Sequence, residues 1–328
     1  MRVFAMHDGG GCGYYRITLP LTEMARHGHD VKIVLGKDVR VSDAATWPLI
    51  IAERIDKYDA LSPWRRLRAT SKLIYEIDDD IFNVGPVNWQ AYGTYSQRDT
   101  QDAVAHAAEV ADLVTVTTEP LAEVMRAWND NVAVLPNYLP GYVCDLPREP
   151  GLTVGWAGGA SHALDIAIVA APVRRFLDRN PDWSMRLMGT DYRPTIRHER
   201  VTFTPWVKIT DETRAFYQRI DWDIGLAPLD PGGGVFNRSK SYIKALEYAA
   251  RGIPVLATDA EPYRDFVVDG VTGFLIRYDH DWLKRLDELA NDGKLRAEMG
   301  AAAREHARKF AIEDHWQEWA DAYGKVLA

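Results

Sequence analysis

Short apolar runs recur along the chain, separated by amphipathic or charged stretches and bounded by Gly, Asp or Pro. The first is Arg2 to His7 (RVFAMH), followed by Val31 to Leu35, Leu49 to Glu53, Leu73 to Ile77, Leu113 to Thr117 and Val132 to Leu135. Runs this short and this continuous suit strands buried on both faces of a parallel sheet. Between them lie helical stretches: one ending near His27-Gly28, one over Gln97 to Ala111, and one opened by Glu119-Pro120, a first-turn position that tolerates proline. Asn83 to Tyr95 has no clear period and reads as a loop over a cleft. Tyr138 to Gly151, rich in Pro and Gly, reads as an interdomain linker.

The alternation then restarts. Strands are predicted over Leu152 to Trp156, Trp183 to Met188, Val201 to Phe203, Asp223 to Pro228, Ile253 to Ala257 and Phe274 to Ile276, with helices over Ala163 to Asn180, Asp211 to Arg219, Ser239 to Ala250 and the Ala/Glu/Lys/Arg-rich stretch Asp281 to Lys309. In Glu313 to Leu327, Trp316, Trp319, Tyr323 and Val326 fall at helical spacing. The pattern predicts an α/β protein with two doubly wound parallel-sheet domains, residues 1–147 and 148–311, and a final helical segment, 312–328. A length of 328 residues agrees with more than one core.

Composition narrows the function little. A net charge of −8 argues against a general nucleic-acid or membrane-coating surface. Two cysteines, Cys12 and Cys144, make no disulfide framework, and no apolar run reaches a membrane-spanning length or the form of a signal peptide. The expectation is a soluble cytoplasmic protein. Eleven tryptophans are many, and aromatic faces serve both core packing and the stacking of sugars or bases.

The chemistry concentrates between Gly232 and Gly273. Gly232-Gly233-Gly234 lets backbone come close to a ligand. The predicted helix after it carries Lys240, Lys244 and Glu247 at spacings that place them on one face. A glycine loop feeding a helix start is an anion site, because free N–H groups and the helix dipole converge there. Two lysines suit a diphosphate, and a carboxylate further along suits a pair of sugar hydroxyls. Asn237, Arg238 and Ser239 lie in the same donor-binding stretch. A second glycine turn, Gly158 and Gly159 ahead of His162, opens another helix; His162 either donates to a phosphate oxygen or caps that helix.

In the first half, Asp8 to Gly13 follows strand one, and Gly11, Gly13, Tyr14 and Arg16 are candidates for the acceptor side. The spacing fits neither the dinucleotide fingerprint nor a P-loop. Asp78-Asp79-Asp80 ends the fourth strand, where open α/β sheets place their chemistry. The triplet binds acceptor hydroxyls or acts as a base towards them, caps the following turn, or holds a divalent ion. Asp79 is the candidate for chemistry and Asp80 for acceptor contact.

The run KALEYAARGIPVLAT…DFVVDGVTGFL resembles the donor-binding segment of GT-B glycosyltransferases, in particular retaining family 4, also called glycosyl transferases group 1. The resemblance implies two Rossmann-like domains facing a cleft and a C-terminal helix crossing back to the first. It implies Glu247 at the ribose of a nucleotide-diphosphate sugar, with neither metal nor cofactor and with the sugar transferred with retention to an acceptor held by the first domain. That acceptor is a glycan, lipid, protein or other hydroxyl compound. The family's first glutamate, eight positions earlier, is Ser239 here. The family's phosphate-binding Arg and Lys are missing between Trp156 and His162, which moves the diphosphate onto Lys240 and Lys244. Two other readings remain: a nucleotide-sugar epimerase or hydrolase using Asp79 or Asp265, and a non-catalytic nucleotide-sugar binder.

Overall fold

A computed structural model describes residues 1–86, 88–149, 151–209 and 212–328. Among them are two sheets of six parallel strands each. The first joins β1 (Arg2–His7), β2 (Asp30–Leu35), β3 (Leu49–Glu53), β4 (Lys72–Glu76), β5 (Leu113–Val116) and β6 (Val132–Val134) in the order β2-β1-β3-β4-β5-β6. The second joins β7 (Thr153–Gly158), β8 (Ser184–Gly189), β9 (Val201–Pro205), β10 (Ile224–Ala227), β11 (Val255–Thr258) and β12 (Gly273–Ile276) in the order β9-β8-β7-β10-β11-β12. Every residue of β3, β5, β7 and β10 is buried, the expected state of strands covered by helices on both faces. Chain order reverses between β1 and β3 in one sheet and between β7 and β10 in the other. At such switch points the loops leaving the strand ends diverge and open a crevice.

Glycines in the central strands let aromatic rings lie on the second sheet. A Cβ at Gly155 would sit 1.9 Å from the Trp222 ring, and one at Gly225 would sit 2.4 Å from Tyr248. The Tyr248 hydroxyl also accepts from the Ala157 N–H at 2.9 Å, which pins the helix Ile243–Ala250 against the end of β7.

The helical run 11–26 after β1 packs between the two halves. It contains a widened turn, Tyr14–Thr18, of the kind often found at functional sites. Arg16, expected on the acceptor side, is instead fully buried. Its guanidinium donates to Glu76 at 2.7 and 3.3 Å and also to the carbonyls of Leu135 and Val116. Gly13 likewise serves packing, since a Cβ there would meet the His7 ring at 2.3 Å. The helix Ile312–Leu327 returns to the first sheet and packs on the segment Leu19–Arg26. It buries Trp319 and Tyr323 and lays the Trp319 ring 5.7 Å from the Arg16 guanidinium carbon.

Several elements differ from their sequence expectation. The stretch 239–250 is not one helix: a short helix, Gly234–Arg238, stops, and Ile243–Ala250 starts afresh. The Ser239 carbonyl accepts from the Thr118 hydroxyl at 2.9 Å, so it is bonded to the first half rather than continuing a helical ladder. The Ser239 hydroxyl bonds back to the Val235 carbonyl at 3.0 Å. Residues 83–95 contain a helix, Trp89–Tyr95. The proline-rich stretch 138–151 buries Tyr138, Leu139, Val143, Cys144 and Leu146; Leu139 exchanges backbone hydrogen bonds with Phe310 and Ile312. The helix expected from Asp211 is seen over Thr213–Gln218, and Asp211 itself lies outside the described residues. The stretch 281–309 is two helices, Asp279–Asn291 and Gly293–Arg308, separated where the Asp292 carboxylate accepts from the Leu295 N–H at 2.8 Å.

Replacing Arg16 by Met strands the Glu76 carboxylate without its cation and is expected to lower stability by about 3–5 kcal/mol. The double variant Arg16→Met/Glu76→Met should recover most of that loss. Urea-unfolding midpoints of the wild type and the three variants (each single and the double) check it.

Candidate active site

The crevice at the β7/β10 switch point gathers most of the expected donor-side groups. From the end of β7, the turn 158–162 leads into the helix Ala163–Arg179. From the end of β10, residues 228–238 supply Asp230, Gly232, Gly233 and Asn237. The first half closes over both with residues 79–95. Two adjoining cavities result. One, of about 290 Å³, is lined by Asp79, Ile81, Val84, Ala91, Thr94, Tyr95, Ser161 and Phe236. The other is bounded by Asn88 and Trp89 on one side and by Ser161, Asp165, Asp230, Gly232, Gly233 and Asn237 on the other.

Because the helix starts only at Ile243, Lys240 does not share a face with Lys244 and Glu247. Lys240 lies ahead of it, with Nζ 4.3 Å from the Phe236 ring centre and 4.0 Å from the Asp79 carboxylate of the first half. Lys244 points inward. Its Nζ donates to the Ala157 carbonyl and stands 4.9 Å from the Trp156 ring centre. Burial lowers its pKa, against the pull of Glu247 and Asp165. Glu247 is buried as well. Burial raises its pKa, opposed by a hydrogen bond from the Tyr15 hydroxyl and by the Lys244 charge. Tyr15 accepts in turn from Tyr217 at 3.2 Å. Desolvation thus pulls the lysine down and the glutamate up, towards each other's protonation range.

His162 stands 2.6 Å from the Asp165 carboxylate through Nδ1. The other Asp165 oxygen accepts from the Asp230 N–H at 2.6 Å. The pKa of Asp165 is lowered, with His162 and that N–H acting against its burial. An ionised carboxylate can only accept, so His162 Nδ1 carries the proton and Nε2 is left as an acceptor. The His162 pKa is pushed down to about 4, chiefly by burial and then by the Lys244 charge. The neutral ring cannot donate from Nε2, so at neutral pH that nitrogen does not supply the expected donation to a phosphate and offers only an acceptor.

The remaining candidates separate. Gly232 and Gly233 line the second cavity with Asn237, whose amide donates to the Asp230 carbonyl at 2.7 Å. Gly234 takes φ +54° and is exposed. Arg238 turns outward to Glu261 at 2.8 Å, and Ser239 is buried with its hydroxyl satisfied, so neither side chain replaces the missing glutamate in the crevice. Gly158 gives room to Trp156, whose ring would meet a Cβ at 2.3 Å, and nothing crowds a Cβ at Gly159.

The aspartate triplet divides three ways. Asp78 pairs with Arg54, and Asp79 faces the cavity. Asp80, expected at the acceptor, is buried and caps the turn Ile81–Asn83 by accepting from the Phe82 and Asn83 N–H groups. Tyr14 is buried, whereas Gly11 is exposed.

At the β1/β3 switch point, His7, Asp8 and Glu53, and separately Cys12, Glu53 and Asp78, bring three potential ligand atoms within 4.8 Å of one another. Burial, then the Asp78 charge, raises Glu53 to about 8, so at neutral pH it is largely protonated. Arg54 already neutralises Asp78. Glu53 accepts from the Asp8 N–H at 3.2 Å through one oxygen.

Sequence reasoning missed Tyr15, Tyr217, Trp156, Arg54 and Asp165. Asp165 carried a local signal, three residues after His162 at a helix start, and Trp156 lies two residues before Gly158 on β7; Tyr15, Tyr217 and Arg54 take their roles from partners far along the chain.

Paired Rossmann-like sheets with a crevice between their switch points define the GT-B class, and this chain has that fold. Residues 152–292 match the family model described as "Glycosyl transferases group 1". A D-inositol 3-phosphate glycosyltransferase of Stackebrandtia nassauensis is 39% identical over 248 residues, covering 67% of this chain and 55% of the relative. The chain thus spans about half the length of that curated relative. Among solved structures, Anabaena Alr3699/HepE in complex with UDP and glucose superposes with a TM-score of 0.70 at 15% identity, covering 99% of this chain and 100% of that one. An alpha-glucosyltransferase in complex with UDP-glucose and DNA containing an abasic site gives a TM-score of 0.70 at 12% identity, covering 98% of both chains.

Folded, His162 stays neutral down to about pH 4; unfolded, it takes up a proton below about 6.5. Its contribution to stability is present above pH 6.5 and is lost as pH falls towards 4. For a largely buried group the loss is about 2 kcal/mol. His162→Gln should therefore flatten the decline of stability between pH 6.5 and 4, as read by urea unfolding at a series of pH values.

Proposed function

We propose that the protein transfers a glycosyl group from a nucleoside-diphosphate sugar, with UDP as the first candidate nucleotide, to a hydroxyl acceptor. The observation that carries this is the convergence of Lys244, Glu247 and the His162–Asp165 pair on the β7/β10 switch point, under a lid from the first half. Lys240 and Lys244 neutralise the diphosphate, with the glycine turns 158–159 and 232–234 giving it backbone access. Fixed cations of this kind stabilise charge on the leaving group without reorganisation. Glu247 binds the ribose hydroxyls. His162 Nε2 accepts from a hydroxyl of the transferred sugar.

Asp79, held between Lys240 and Arg54, faces the acceptor. Retention at the anomeric carbon follows the group 1 reading, with the departing phosphate taking the acceptor proton, so no protein nucleophile is assigned. Transfer proceeds without a metal. The divisions at 147/148 and 311/312 remain part of this reading, as does a cytoplasmic setting; among the described residues no helix is long and apolar enough to cross a membrane. The epimerase reading is weaker because one of its two candidate acids, Asp265, is exposed.

UDP should raise the melting temperature, since a ligand that binds only the folded state stabilises it by mass action. Lys240→Ala, Lys244→Ala and Glu247→Ala should each lower UDP release from UDP-sugars by about tenfold or more with far-UV circular dichroism unchanged. Turnover should persist in EDTA. Wild-type rates in the three variants would remove these assignments, and loss of turnover in EDTA that is restored by a divalent ion would remove the metal-free mechanism.

A further inference from the structure

Among the described residues Trp89 is the most exposed of the large hydrophobic side chains, at 66%, and it opens the short helix Trp89–Tyr95 that packs on the turn Ala160–His162. A single exposed tryptophan is ordinary. This one lies on the wall of a cavity whose opposite side is hydrogen-bonding: Asp165, Asp230 and Asn237. Next to it, Asn88 lines the same cavity, and its buried amide nitrogen has no hydrogen-bond partner among the described residues. A buried donor left unmade is costly, so a ligand acceptor atom is the natural completion.

An aromatic face opposite a rim of carboxylate and amide groups matches one class of small molecule. A six-membered polyhydroxylated ring has an apolar face of C–H bonds, which packs on an indole, and an edge of hydroxyls, which need donors and acceptors around them. An open-chain polyol has no such flat face. The charged side chains lining this cavity are both acidic, Asp165 and Asp230, and no lysine or arginine lines it among the described residues. The ring seated there is therefore uncharged at that position. Because Trp89 and Asn88 come from the first half and face the donor-side turn, Gly232 and Gly233, across this cavity, a ring on their side is the partner of the donor: the platform serves the acceptor.

We propose that Trp89 and Asn88 form the acceptor subsite and that the acceptor presents a neutral pyranose or cyclitol ring, stacked on the Trp89 indole with a ring oxygen or hydroxyl accepting from Asn88. This rests on the glycosyltransferase reading and specifies its acceptor.

The test is saturation-transfer NMR with UDP present at saturation, using methyl α-D-glucopyranoside, methyl α-D-mannopyranoside, myo-inositol and, as the open-chain control, glycerol. At least one ring compound should receive saturation and glycerol none. Trp89→Ala should weaken ring binding about tenfold or more, Trp89→Phe should retain most of it, and Asn88→Ala should weaken it less than Trp89→Ala does. The UDP-induced rise in melting temperature should be the same in all four proteins. Equal binding of glycerol, no binding of any ring, or unchanged affinity in Trp89→Ala would overturn the subsite. A UDP response lost together with Trp89 would overturn it too, by assigning the indole to the donor. No UDP response in the wild type would instead sink the glycosyltransferase reading on which the subsite stands.

Discussion

A carboxylate taken out of water must find donors or give up its charge, and the arrangement of this protein turns on where Glu247 finds them. One is Tyr15, from the helical run after β1. The other influence is Lys244, one turn earlier on the same helix and itself held by the Ala157 carbonyl at the end of β7. A single buried group thus ties together the opening helical run of the first half and the β7 end and helix of the second. Next to Tyr15 in sequence, Arg16 does the same within the first half, joining β4 to the ends of β5 and β6. Two adjacent residues of one widened turn therefore serve two buried carboxylates on opposite sides.

Charge also continues across the crevice. Lys240 of the second half reaches Asp79, Asp79 lies 3.9 Å from Arg54, and Arg54 pairs with Asp78. Alternating signs in this order let each charge be partly satisfied while Lys240 and Asp79 remain close to the cavity.

The strands were readable because burial on both faces leaves an uninterrupted apolar run, and all twelve expected runs are strands within a few residues. The glycine turns and the residues of the second switch point were readable for a related reason: their chemistry is local in sequence. What could not be read depends on distant partners. The break after Arg238 follows from a hydroxyl at Thr118, the burial of 138–146 from contacts with residues near 310, and the withdrawal of Arg16 from the crevice into the interior from Glu76. A glycine-rich loop next to an arginine looks the same in sequence whether the arginine meets a ligand or a buried glutamate. The three aspartates at 78–80 show the same limit, since only the folded backbone turns one to an arginine, one to the cavity and one to a cap.

The tyrosine on Glu247 has a thermodynamic corollary. Tyr15 occupies Oε1, so in the proposed donor complex a pentose gripping that carboxylate through both oxygens would first have to evict a phenol that is itself hydrogen-bonded to Tyr217. Occupation becomes an exchange between two hydroxyl guests, and the measured dissociation constant is the intrinsic one divided by the fraction of molecules in which the phenol has swung aside. Trimming that phenol to phenylalanine would remove the competitor and its bridge from the first half to Glu247 in one stroke, so on the proposed reading tighter nucleotide capture and a looser tie between the halves would arrive together.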